Sequence, residues 1–127
     1  MSQASPVSVL VVEDEALIAM ELQMLLEDAG YRVLGPANSV ENALAILAIE
    51  TPDAALLDIN LGRSDVFSVA NRLSESNTKV IFLSGHSIQK LPPSLRDRPL
   101  VTKPYLPHVL MQTLRRVLAE ASAVVNP

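Results

Sequence analysis

Short apolar segments rich in β-branched residues alternate with longer amphipathic segments along the chain. The first of them, residues 7–12, reads Val-Ser-Val-Leu-Val-Val. An apolar run of this length is typical of a strand that is buried on both faces of a parallel sheet. Four more short runs predict strands at residues 31–34, 53–57, 80–83 and 100–102, and Gly35-Pro36 is expected to close the second strand.

The segments between these strands have the spacing of helices with one apolar face. The first helix is expected to end before Gly30, which supplies a C-terminal stop. Ser39 can cap a second helix through about Ile49, and Ser64 or Asp65 can cap a third. Apolar positions at helical spacing define one face of the first, third and last helices. They are Ile18, Leu22, Leu25 and Leu26 in the first helix, Val66, Val69, Ala70 and Leu73 in the third, and Leu110, Leu114 and Leu118 in the last, which starts near Pro107.

The fourth intervening segment breaks this pattern. Residues 86–98 contain Pro92-Pro93, and Pro99 follows, so a shortened or irregular fourth helix is expected. The alternation of strands and helices predicts an α/β fold in which helices cover both faces of a parallel sheet. Right-handed crossovers then favour a doubly wound five-stranded sheet, whose functional crevice lies at the carboxyl ends of the strands.

Composition narrows the class of protein. The 127 residues suit one domain, spanning 1–127 without an output domain, and a hydrophobic content of 49% suits a buried core. The net charge of −4 disfavours a nucleic-acid partner, because such proteins present a basic face. The absence of cysteine excludes disulfides and thiolate sites. No apolar stretch reaches the roughly 20 residues that span a bilayer, so we expect a cytoplasmic protein without a membrane partner.

Polar and charged side chains follow four of the predicted strands. Glu13 and Asp14 come after the first, Asp58 after the third, Ser84 after the fourth and Lys103 after the fifth. Singly, each also fits a structural role, as a helix-terminal charge, a cap, a turn or a strand terminator. If these strands lie side by side, three carboxylates meet and repel each other unless a cation lies among them. Hard oxygen ligands suit Mg²⁺, and Lys103 is then a positive charge able to hold a phosphoryl group.

Four short sequences at these positions resemble the receiver domain of two-component response regulators. They are Val9-Leu-Val-Val-Glu-Asp-Glu15, Leu56-Leu-Asp-Ile-Asn-Leu-Gly62, Phe82-Leu-Ser-Gly85 and Val101-Thr-Lys-Pro-Tyr105, in the order and spacing of that family. Each is weak alone, but the set is specific and covers essentially the whole chain. The resemblance implies the flavodoxin-like receiver fold, with strand order 2-1-3-4-5.

The same resemblance implies roles for the acidic residues. Asp58 would accept a phosphoryl group from a sensor histidine kinase or a histidine phosphotransfer protein. Mg²⁺ would be held by Glu13, Asp14, Asp58 and the backbone carbonyl of Asn60. The protein would then act as a phosphorelay switch that contacts a downstream protein target, as a monomer or as a phosphorylation-dependent dimer.

The resemblance extends to two further residues and departs from the family at a third. Ser84 matches the hydroxyl that bonds a phosphoryl oxygen, and Lys103 matches the lysine of the family. Leu100 stands three residues before that lysine, where an aromatic switch residue is usual, and Tyr105 follows the Lys-Pro pair. These departures resemble divergent stand-alone receivers. We therefore expect switching to involve residues 86–98, which would become more ordered when the acceptor is phosphorylated.

Other interpretations remain open. A phosphorylation-independent pseudo-receiver typically lacks an acidic residue or the lysine, whereas this chain keeps all of them. A Mg²⁺-dependent aspartyl-phosphate phosphatase needs a second aspartate two residues after the nucleophile, where this chain has Asn60. A flavodoxin-like FMN site is disfavoured because Glu13-Asp14-Glu15 would repel the phosphate. The chain could also be one receiver of a longer protein, although its polar start at Met1 favours a natural N-terminus.

Overall fold

The computed structural model describes residues 6–59, 66–85, 93 and 97–125, with side chains as far as residue 120. Strands and helices alternate through these residues in the order β1 (Ser8–Val12), α1 (Ala16–Asp28), β2 (Arg32–Ala37), α2 (Val40–Leu47), β3 (Ala54–Asp58), α3 (Val66–Glu75), β4 (Lys79–Ser84), β5 (Leu100–Thr102) and α4 (Pro107–Val125). All neighbouring strands are parallel, and the sheet has the order β2-β1-β3-β4-β5. The predicted α/β fold and strand order are confirmed.

The side chains of each central strand alternate between two apolar layers. In β1, Leu10 and Val12 pack in the layer beneath α2 and α3, whereas Val9 and Val11 pack in the layer beneath α1 and α4. All four are fully buried. A strand covered on both faces needs apolar residues at every position, which explains why β1 is a continuous apolar run instead of an alternating one.

The helices bury the faces that their spacing predicts. In α3, the four predicted positions from Val66 to Leu73 are buried. The backbone N–H of Asn42 donates to Ser39 Oγ at 3.1 Å, which confirms the predicted cap of α2, although α2 ends at Leu47 instead of about Ile49. The first helix ends at Asp28, just before its predicted stop at Gly30, and the last helix begins at Pro107 as predicted; the predicted faces of both are buried or partly buried.

The strand β2 extends beyond its predicted end. It runs to Ala37 and includes Gly35 and Pro36, because an edge strand tolerates a residue without an N–H. Gly35 has φ +91°, and a Cβ there would lie 2.6 Å from Ala37 N and 3.1 Å from Val11 O, so the position requires glycine. This path places the Ala37 carbonyl beside Glu13, and the backbone N–H of Glu13 donates to that carbonyl at 2.9 Å.

Two expectations concern residues that lie outside the described part of the chain. These are the cap of the third helix at Ser64 or Asp65, and most of residues 86–98, where an irregular fourth helix and an ordering transition are expected. Both stay predictions. Among the helices that are described, none is long and apolar enough to cross a membrane.

Candidate functional site

Three carboxylates meet at the carboxyl ends of β1 and β3. These strands are neighbours in which Val12 pairs with Leu57, so the residues that follow each of them are adjacent. One carboxylate oxygen from each of Glu13, Asp14 and Asp58 lies within 4.8 Å of the other two. The sheet therefore brings together the acidic residues that the sequence analysis singled out.

The three carboxylates differ in their exposure. The residues Glu13 and Asp58 are buried, with 1% and 2% of their surface exposed, whereas Asp14 is exposed at the mouth of the site. None of the three belongs to the first turn of α1, whose N-cap is Glu15. Charge at the N-terminus of α1 does not by itself explain this placement, because two of the three carboxylates are held away from water.

Lys103 lies between the two buried carboxylates. Its Nζ is 2.9 Å from Glu13 Oε1 and 3.3 Å from Asp58 Oδ2. The backbone N–H of Lys103 donates to the carbonyl of Ser84 at 2.8 Å, which fixes the lysine beside the end of β4. Ser84 is itself fully buried at the carboxyl end of β4, opposite Thr102 of β5. The lysine and the serine thus lie at the same edge of the sheet as the acidic cluster.

The charges of this cluster are not fully balanced by its own groups. The pKa of Glu13 is raised to about 7, mainly by burial and also by the neighbouring Asp58, while the hydrogen bonds from Lys103 and from the Glu15 backbone oppose the shift. Burial by itself would lower the pKa of Lys103, but the hydrogen bond to Glu13 and the nearby carboxylate charges outweigh it, and the net shift is upward. An additional cation would favour the ionised form of Glu13.

The donor set fits a hard divalent cation. Carboxylate oxygens are the ligands that Mg²⁺ takes, usually one or two of them with several waters. Glu13, Asp14 and Asp58 provide such oxygens, and the exposure of Asp14 leaves a path from solvent. The carbonyl of Asn60, the fourth predicted ligand, lies outside the described residues. The acidic pocket could bind a metal ion through these three carboxylates.

The sequence analysis did not identify an apolar groove beside this site. The groove has a volume of about 610 Å³ and lies between α1 and residues 103–107, with Ile18, Leu25 and Tyr105 in its lining. Burial raises the pKa of the Tyr105 hydroxyl, although the nearby Lys103 charge opposes the shift. One signal in the sequence was available: α1 carries more apolar residues than its core face needs, and Leu17, Met20 and Met24 are exposed.

Comparisons with known sequences identify the family. A sequence profile described as "Response regulator receiver domain" matches residues 9–115. The transcriptional regulatory protein PdtaR of Mycobacterium tuberculosis is 30% identical over 95 residues, which cover 74% of this chain and 46% of that protein. The phyllosphere-induced regulator PhyR of Methylorubrum extorquens is 34% identical over 104 residues, which cover 78% of this chain and 39% of that protein. The chain therefore spans less than half the length of these two relatives.

Solved structures agree with the fold. The response regulator PhyR from Brucella abortus superposes with a TM-score of 0.78 at 32% identity, covering 97% of this chain and 53% of that chain. A CheY-like receiver domain protein from Methanospirillum hungatei JF-1 gives a TM-score of 0.82 over 94% of this chain and 98% of that chain, but at 24% identity it bears on the fold alone. The strand order, the acidic cluster and the sequence match lead to one conclusion: the chain belongs to the receiver-domain family of two-component response regulators.

Proposed function

We propose that this chain accepts a phosphoryl group on Asp58 from the histidine of a kinase or phosphotransfer protein, with Mg²⁺ bound, and signals through protein–protein contacts. The observation that carries the proposal is the position of Asp58. Its carboxylate is buried, lies in a cluster of three carboxylates, and has the Lys103 ammonium 3.3 Å away. A nucleophilic carboxylate, a cation site and a fixed positive charge are the groups that phosphoryl transfer to an aspartate requires.

The reaction is a displacement at phosphorus. An oxygen of the ionised Asp58 attacks the phosphorus of phosphohistidine, a P–O bond forms as the P–N bond breaks, and the imidazole leaves with the electron pair and takes up a proton. When bound, Mg²⁺ would supply charge neutralisation and Lewis acidity. Glu13, Asp14 and Asp58 would hold the ion, together with the backbone carbonyl of Asn60.

Lys103 and Ser84 are proposed to hold the product. A phosphoryl group adds about −1.5 to −2 charge at pH 7. The Lys103 ammonium, now shared between Glu13 and Asp58, would move onto a phosphoryl oxygen, because a dianion attracts it more strongly than a carboxylate does. The buried hydroxyl of Ser84 would donate a hydrogen bond to another oxygen. Together these contacts would pull the ends of β4 and β5 toward Asp58.

The apolar groove beside Lys103 is proposed as the docking surface for the phosphodonor. A donor histidine must reach Asp58 from solvent, and this groove opens beside the acidic cluster. Its lining is mainly apolar, but it also includes the exposed acidic residues Glu21 and Asp28. An amphipathic helix that carries the histidine and basic residues matches both features. Downstream targets and any phosphorylation-dependent dimer would use surfaces that change when the lysine moves.

Phosphorylation by acetyl phosphate tests the acceptor without a kinase. Incubation with acetyl phosphate and Mg²⁺, followed by intact-protein mass spectrometry, should show one added phosphoryl group. Asp58→Asn should abolish the product, and EDTA should suppress it. Asp28→Asn is the matched control, because Asp28 is an exposed aspartate of α1 outside the acidic cluster. Undiminished labelling of Asp58→Asn would place the acceptor elsewhere. A folded wild-type protein that neither acetyl phosphate nor a kinase labels would favour the pseudo-receiver interpretation.

A further inference from the structure

A second cleft lies at the opposite end of the sheet from the acidic cluster. It has a volume of about 590 Å³, within the range of small-molecule sites, and lies between the end of α3, the start of β4 and α4. Lys79 begins β4 and Ser84 ends it, so the two sites are separated by about five strand residues, or ~17 Å. The receiver chemistry at Asp58 does not use this cleft.

Basic side chains from three separate parts of the fold line the cleft. They are Lys79 from β4, Arg98 from the residues before β5, and Arg116 from α4. Arg98 is held in position by α3, since its Nη2 donates to Ser74 Oγ at 3.2 Å. Lys79 is half-buried and forms no ion pair with any residue that the structure describes. The cleft therefore contains positive charge that is positioned before any ligand arrives.

The two carboxylates of the cleft neutralise these charges only weakly. Asp97 pairs with Arg98 Nη1 at 2.6 Å, but the Asp97 side chain is 75% exposed. Glu120 reaches Arg116 at 4.0 Å, and both of those side chains are more than 60% exposed. Exposed ion pairs of this kind contribute little free energy and are screened by salt. Either carboxylate can turn into solvent when a stronger anion takes its place.

We propose that this cleft binds a small molecule that carries a phosphate group. Arg98 presents a planar fork that can donate two parallel hydrogen bonds to one phosphate, and Lys79 adds a point charge. Three basic groups match a dianion better than they match a single carboxylate. The chain has a net charge of −4, so an anion is attracted by this local arrangement and not by the charge of the whole protein.

The test is a titration with AMP followed by amide chemical shifts, with EDTA present so that no divalent cation bridges AMP to the acidic cluster. We expect saturable shifts at Ser74, Asn77, Lys79 and Arg98, and no response to adenosine. Arg98→Met should weaken AMP binding by roughly tenfold or more. Arg32→Met is the matched control, because it also removes one positive charge at this end of the sheet but Arg32 pairs with Glu50 at the opposite edge.

The variants separate this site from the phosphoacceptor. Asp58→Asn should bind AMP as the wild type does, so a failure of the proposed phosphorylation leaves this result intact. If Arg98→Met loses its fold, Lys79→Met carries the test, with a loss of several-fold expected. Shifts that stay linear in AMP concentration, an equal response to adenosine, or equal weakening by Arg32→Met would each overturn the proposal.

Discussion

The ammonium nitrogen of Lys103 lies 2.9 Å from Oε1 of Glu13, a residue 90 positions earlier in the chain. The Glu13 side chain is fully buried and that of Lys103 is 18% exposed, so the contact is shielded from water. It keeps the lysine protonated and occupies one oxygen of the glutamate. A divalent cation that takes Glu13 as a ligand must therefore compete with both the lysine and a proton.

The first prediction follows from that competition. Burial raises the pKa of Glu13 to about 7, and a metal ion binds the ionised carboxylate, so binding should release a proton. Mg²⁺ affinity should rise between about pH 6 and about pH 8 and level off above this range. Calorimetric titration in buffers of different ionisation enthalpy measures the affinity and the released protons together. Glu13→Gln should bind more weakly and without this pH dependence, and a pH-independent affinity in the wild type would contradict the assignment.

The second prediction concerns stability in the absence of metal. The pKa of Glu13 is about 7 in the folded protein against an ordinary value of 4.5, so the folded state binds this proton more tightly than the unfolded state does. The resulting stabilisation is fully present below about pH 4.5 and is lost as pH rises through about 7. Urea unfolding in EDTA should show this decline in the free energy of unfolding. Glu13→Gln should flatten it, whereas Glu15→Gln, at an exposed neighbour, should not.

The third prediction tests the metal ligands through thermal unfolding. A ligand that binds only the folded state stabilises it by about 1.4 kcal/mol at tenfold its dissociation constant. The melting temperature of the wild type should therefore rise with Mg²⁺ concentration. Asp14→Asn should lose most of this rise, while Glu15→Gln, whose carboxylate is exposed and outside the cluster, should keep it. Equal responses of wild type and Asp14→Asn would remove Asp14 from the site.

The fourth prediction separates docking from chemistry. Met24 lines the groove and is 61% exposed, so Met24→Glu should fold normally yet place a charge on the proposed docking surface. Phosphotransfer from a histidine donor protein should slow by about tenfold or more, since the loss of a well-packed interface anchor costs about 2 kcal/mol or more. The rate with acetyl phosphate should not change. Ile49→Glu is the control, because Ile49 is an exposed apolar residue outside the groove. Equal slowing by both variants would exclude the groove as the docking surface.

The fifth prediction compares two glycines with nearly the same backbone angle. Gly30 has φ +94° and open space where a Cβ would lie, whereas a Cβ on Gly35 would meet the backbone at 2.6 Å. Gly30→Ala should lower the free energy of unfolding by about 1 kcal/mol, from backbone strain alone. Gly35→Ala adds a backbone clash and should lower the free energy of unfolding by clearly more. Urea unfolding of both variants measures the difference, and equal losses would mean that the β2 path adapts to a side chain.

The sequence by itself determined the elements of the fold and the candidates for the site. The apolar run of β1 and the spacing of Val66, Val69, Ala70 and Leu73 in α3 are local properties, and they predicted both elements and their buried faces. The side chains at the strand ends could also be grouped in advance, because parallel strands end at one edge of a sheet. Ser39 was recognisable as a cap because it needs only the backbone three residues away.

Only the tertiary structure decided the burial and the pKa shifts of those side chains, and the surfaces around them. Pro36 fits within β2 because that strand is at the edge of the sheet, which no local pattern reveals. The burial of Glu13, its raised pKa and its contact with Lys103 all arise between residues distant in sequence. The apolar groove and the basic cleft each combine side chains from several elements. Burial, pKa and cavity shape depend on distances through space, and those distances exist only once the sheet and its helices have packed.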